Sequence, residues 1–173
     1  MITSEKKFKE LSEILHKGDS VLISGAVELL RDEHPFKGAI GLLTECYDNN
    51  NHVPIRKSIE RFMNDLKDQT ATEEIIKEVR KPWKDDTISM LISSCWQSGL
   101  NYSDYLMDFV KVFIKGDYVT AIECLTVIEE YAHEMSIDKN KEIIKYIEES
   151  KDQFQAEKKA LKLEIIAILN RQE

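Results

Sequence analysis

The sequence predicts an all-α protein of about four to five stacked antiparallel helix pairs, on the strength of three observations. Apolar residues recur at three and four positions nearly everywhere, as in Phe8, Leu11 and Leu15 and again in Ile88, Leu91, Ile92, Cys95 and Trp96. That is the spacing of one helix face. Glycine and proline are scarce, 6 and 3 of 173 residues, whereas sheet proteins need frequent turns rich in both. Finally, alternate helices superimpose at a step of 33 residues.

The helices follow from their breaks, taken in order. Lys17-Gly18-Asp19 closes the first, and the stretch from Asp32 to Pro35 closes the second. Breaks from Asp48 to His52 and from Lys67 to Thr72 bound the third and fourth; those at Lys81 to Lys84 and Ser98 to Ser103 bound the fifth and sixth. Lys115-Gly116 separates the seventh from the eighth, and Ser136 to Asp138 separates the eighth from the C-terminal helices. The segments run about 10 to 20 residues, near the ordinary helix length. Thr72, Asp85, Ser103 and Asp138 precede apolar runs and are the expected caps, because their side chains can accept from the free N–H groups of a first turn.

The 33-residue step links Leu22, Ala26 and Leu29 to Ile55, Ile59 and Phe62, then to Ile88, Ile92 and Cys95, then to Ala121, Leu125 and Ile128. The intervening helices align through Leu43, Ile76 and Phe109. A helix pair repeated at this period cannot close a core alone, so neighbours stack and share one. On this reading the chain is one domain, 1–173, with 138–173 a divergent C-terminal capping pair. The capping helices are Lys139 to Ile147 and Phe154 to Asn170, the latter charged on one side and apolar on the other; a partner-binding role for it stays open.

Asn51-His52-Val53-Pro54-Ile55-Arg56-Lys57-Ser58-Ile59 resembles the start of the second helix in HEAT and armadillo-type repeats, with Ile55-Arg56 in place of the Val-Arg pair. Lys84-Asp85-Asp86-Thr87-Ile88-Ser89 keeps the acidic turn of that pattern without its arginine. Lys115-Gly116-Asp117-Tyr118-Val119-Thr120-Ala121-Ile122 is similar instead to the second helix of a tetratricopeptide repeat, as Lys17-Gly18-Asp19 is more faintly. Both resemblances imply the same architecture, a short right-handed superhelix (a HEAT/armadillo-like solenoid) of antiparallel helix pairs.

Composition limits the functions open to such a fold. A net charge of −8 repels phosphate backbones and anionic lipid heads, which argues against nucleic acid and membrane partners. Met1 to Lys7 lacks the apolar core of a secretion signal, so a cytoplasmic location is the default expectation. Cys46, Cys95 and Cys124 are odd in number, lack metal-ligand spacing and read as reduced core residues.

Two Glu-x-x-His elements, Glu13 to His16 and Glu130 to His133, place a carboxylate and an imidazole on one helix face, as di-metal helix bundles do. Both stand in last turns, where the helix dipole favours histidine anyway, so no metal and no cofactor is expected. His34 and His52 also fall at helix ends or turns. Asp32-Glu33 and Asp85-Asp86 read as helix-terminal electrostatics. Trp83, Trp96, Asp85 and Asp86 raise the alternative of a DNA glycosylase-like repeat protein, against which stands the missing basic stripe. No catalytic residue is assigned.

What remains is a protein-binding or scaffold module. In stacked helix pairs the second helices line the concave side, and the 33-residue step proposes Lys57, Met90 and Glu123 as one row and Asn64, Gln97 and Glu130 as another. Trp96 aligns with Leu30 and Met63 and is expected in the core. Trp83, beside Pro82 at a helix end, is the expected interface anchor, and Arg56 completes the set. The expected partner is another protein.

Overall fold

The computed structural model describes residues 4–32, 36–150 and 156–171, and among these every regular element is helical, with ten α-helices and short 3-10 turns. Glu33, His34 and Phe154, singled out above, lie outside the described residues. The chain divides into two compact units, Met1–Leu100 and Asn101–Glu173.

The first unit holds α1 (Ser4–Lys17), α2 (Ser20–Arg31), α3 (Ala39–Asn49), α4 (Val53–Asn64), α5 (Ala71–Val79) and α6 (Asp85–Gln97). Consecutive helices pack as the pairs α1/α2, α3/α4 and α5/α6. Alternate helices also pack side by side, α1 on α3 on α5 and α2 on α4 on α6. Leu43, Ile59, Met63, Ile75, Leu91 and Ile92 are fully buried between them. Leu11, Ala39 and Leu42 form a smaller cluster against which Leu15, Leu30 and Phe36 pack.

The second unit holds α7 (Leu106–Lys115), α8 (Tyr118–Tyr131), α9 (Ile137–Glu149) and α10 (Lys159–Asn170). Its packing alternates in the same way, α7 with α8 and α9, and α10 with α8 and α9. The Tyr102 ring meets Phe109 edge-on at 6.0 Å and Tyr131 at 6.3 Å, tying the 3-10 entry to both long helices. The last helix, expected from Phe154, begins at Lys159 after a 3-10 turn over Ala156–Lys158.

The 33-residue grid meets the structure unevenly. Leu43, Ile76 and Phe109 are all buried, as are Ile55, Ile59 and Phe62 of α4. In α2 the buried residues are Ile23 and Val27, whereas Leu22 and Leu29 are 54% and 72% exposed. The side that α2 buries therefore lies about 100° around the helix from its grid positions, and the grid side is left largely open.

The expected caps are corrected by one or two residues. The N-cap positions are Thr70, Lys84 and Ser136 where Thr72, Asp85 and Asp138 were expected, and Ser103 opens a 3-10 turn. Of these Ser136 accepts from the Lys139 N–H at 3.4 Å, and the other side-chain caps come from the two Lys-Gly-Asp breaks, where Asp19 accepts from the Leu22 N–H at 2.9 Å and Asp117 from the Thr120 N–H at 2.8 Å. Each preceding glycine donates its N–H to the carbonyl four residues back, Gly18 to Ile14 at 2.8 Å and Gly116 to Val112 at 2.7 Å. A Cβ would stand 2.6 Å from the Ile14 oxygen and 3.0 Å from the Val112 oxygen, so the closeness of this corner favours glycine at both breaks.

Other helix starts are capped from a distance. Asp48, at the end of α3, accepts from the Lys84 N–H at 3.0 Å and the Thr87 hydroxyl at 2.8 Å, supplying the negative charge that the start of α6 attracts. Glu74 in the first turn of α5 accepts from the Gly38 N–H with both oxygens at 3.2 Å, doing the same for α3.

In the second unit Lys158 is 1% exposed, and its ammonium donates to the carbonyls of Phe113 at 3.1 Å, Ile114 at 2.7 Å and Gly116 at 2.7 Å. These lie at the C-terminal end of α7, where helical carbonyls lack partners in their own helix and the dipole is negative. Burial lowers the Lys158 pKa from its ordinary value, with the negative potential of Cys124, Glu157 and Asp117 acting the other way. Asn140 adds a buried tie, donating from Nδ2 to the Leu169 carbonyl at 3.3 Å.

Candidate interaction surface

The proposed surface residues of the first unit lie on α4, on α6 and on the turn before α6. Arg56 bonds Asp86 of α6 at 2.5 Å and lies over the Tyr47 ring at 3.9 Å from its centroid. Tyr47 in turn donates its hydroxyl to Glu60 at 2.8 Å. Burial, and then that bond to Glu60, push the Tyr47 phenol up to about 12, while Arg56 holds the Asp86 carboxyl below its ordinary range. Arg56 is thus committed to joining α3, α4 and α6.

Asn64 donates from Nδ2 to Gln97 Oε1 at 2.9 Å, and Gln97 donates on to Ser93 Oγ at 2.8 Å. The structure therefore brings together the first two members of the proposed row Asn64, Gln97 and Glu130, 33 residues apart. Arg31 and Asp65, 34 residues apart, pair between α2 and the end of α4. Within the second unit Asn101 donates to Glu134 across another interval of 33 residues.

Lys57 is exposed on α4, but Met90, its expected companion on α6, is only 7% exposed and packs inward. That row does not form a continuous surface on the first unit, because Met90 follows the buried Thr87 on the inward side of α6. In the second unit Glu123 is half-buried and Glu130 exposed on α8. Trp83 is half-buried with the Lys81 ammonium 5.6 Å from its ring.

Trp96, expected in the core, is 40% exposed and adjoins Gln97. The grid could not separate it from Met63, which is fully buried at the matching position. A large aromatic side chain on the outer part of α6 beside an amide ladder is the feature that sequence reasoning missed.

Among the described residues no group of three or more His, Cys, Asp or Glu side chains is placed to hold a metal ion. None of their helices is long and apolar enough to cross a membrane. No family model, curated protein or solved structure matches the chain.

Proposed function

We propose that this chain is a protein-binding helical-repeat module of the HEAT or armadillo type, its pairs stacked in a right-handed superhelix whose second helices receive the partner. The observation that carries the reading is the set of contacts joining successive second helices: Arg31 with Asp65, Arg56 with Asp86 and Asn64 with Gln97. Side chains 30 to 34 residues apart meet on neighbouring helices, as stacking of one helix pair on the next requires. Arg56, from the turn that resembles the family, reaches the acidic turn of the following pair.

The receiving surface on the first unit is centred on Lys57, Asn64, Trp96 and Gln97. Tryptophan is among the residues that contribute most to protein recognition, since it buries much area, and polar neighbours fix its partner's orientation.

A photo-crosslinking amino acid at position 57 or 97, tested in the native cell, should capture one protein that the same probe at Lys77 on α5 does not. Equal capture at position 77, or none at 57 and 97, would overturn the reading. Stoichiometric iron or manganese in the purified protein, or release of a base from DNA, would turn it towards an enzyme.

A further inference from the structure

We propose that α2 is a dimerisation helix, pairing antiparallel with α2 of a second copy about Gly25. The face in question borders an open groove of about 970 Å³, whose lining includes Val21, Leu22, Gly25, Ala26 and Leu29. Val21 is 80%, Leu22 54% and Leu29 72% exposed. Such a contiguous apolar stripe on one helix differs from the scattered apolar residues that any surface carries.

The corresponding face of α4 shows that this kind of surface accepts a helix. At the 33-residue step Leu22, Gly25, Leu29 and Asp32 correspond to Ile55, Ser58, Phe62 and Asp65. Those four share one side of α4 by their spacing. The first three are buried, and Asp65, at the end of that side, pairs with Arg31 of α2, on which α4 packs. On α2 the same side is open.

The pattern of the stripe selects the occupant. Gly25 has nothing within 4 Å of where a Cβ would stand, which leaves room for another backbone to approach closely. A twofold axis there places Leu22 of one copy on Leu29 of the other, and the reverse. The charges at the two ends complete the match. Lys17 borders Leu22 at one end of the stripe, and Asp32 borders Leu29 at the other. Antiparallel pairing sets each Lys17 against Asp32 of the other copy, whereas parallel pairing would oppose like charges. Of the other charged residues there, Glu28 and Asp65 both bond Arg31, while Glu10 and Glu13 share the end of Lys17 and Lys67 lines the groove with Asp32, so antiparallel pairing also sets these acids towards Lys67. A self-complementary patch of this kind is what an isologous dimer requires.

Sedimentation equilibrium of the full chain tests this. The 20.1 kDa chain should run as a dimer at about 50 µM. Leu29→Asp and, separately, Leu22→Asp should each give monomer with unchanged helical circular dichroism, since both side chains are largely exposed. Lys17→Glu should weaken the dimer at least about tenfold, and adding Asp32→Lys should restore it. A monomeric wild-type chain, or a dimer that survives both leucine substitutions, would overturn the proposal. A dimer lost with the leucines but indifferent to the charge swap would overturn the antiparallel register.

Discussion

Arg56 in the first unit and Lys158 in the second are both cations that join elements distant in sequence, and they do so under opposite conditions. Arg56 keeps part of its side chain in water, pairs with a carboxylate that is more than half exposed, and lies on the Tyr47 ring. Lys158 is buried and hydrogen-bonded to three backbone carbonyls. The exposed ion pair can be replaced by hydration, so its loss costs little. Removing the buried ammonium leaves carbonyls at the end of α7 with no water to take its place, and an unmet buried acceptor costs more than its bond contributes.

The largest expected effect therefore belongs to Lys158. Lys158→Ala should destabilise the chain by about 3 kcal/mol, and Lys158→Met by about 2 kcal/mol because the methionine keeps most of the volume. Urea melts followed by circular dichroism check both; a cost below that of Arg56→Ala would break the comparison. Arg56→Ala should cost about 1 kcal/mol in the same assay, the sum of a partly exposed ion pair and a cation–π contact.

Alkaline pH should sharpen the contrast. Lys158 is held below its ordinary 10.5, so as pH rises towards 10.5 the unfolded chain holds more protons than the folded one, and this group adds stability. Tyr47 is held above its ordinary 10.0, at about 12, so between those values the unfolded chain loses its proton first and stability falls. Melts from about pH 8 to about pH 12 should show the fall diminished in Tyr47→Phe and the rise abolished in Lys158→Met. A Tyr47→Phe profile identical to wild type would remove the phenol from the account. On the acid side Asp86, held below its ordinary 3.8, contributes stability above that value that is lost as pH falls through its lower folded pKa. The smallest effect is expected from Asn64→Ala, about 0.5 kcal/mol, since water can replace the amide that bonds Gln97.

Helix positions were legible from the sequence, and so were the buried positions of α4 and those of the intervening helices at Leu43, Ile76 and Phe109. These follow from apolar spacing within a segment. Pairing of Asn64 with Gln97 was foreshadowed by the 33-residue row, because stacked pairs bring matching positions together. Met90 and Trp96 were assigned to the wrong environments, Met90 outward and Trp96 inward, since α6 has apolar or small residues around much of its circumference and periodicity alone does not orient it. Lys158, followed by Lys159, reads as part of a solvated run; only the fold shows that α7 ends beside it.

Sequence by itself determined an all-helical chain and the places where its helices break, because turn residues and apolar spacing act on a local scale. The tertiary structure alone decided which side of α2 is covered, that α3 and α6 are capped by Glu74 and Asp48, and that a lysine is buried at the end of α7. Each of these depends on which distant segment arrives to satisfy an exposed face or an unpaired backbone group.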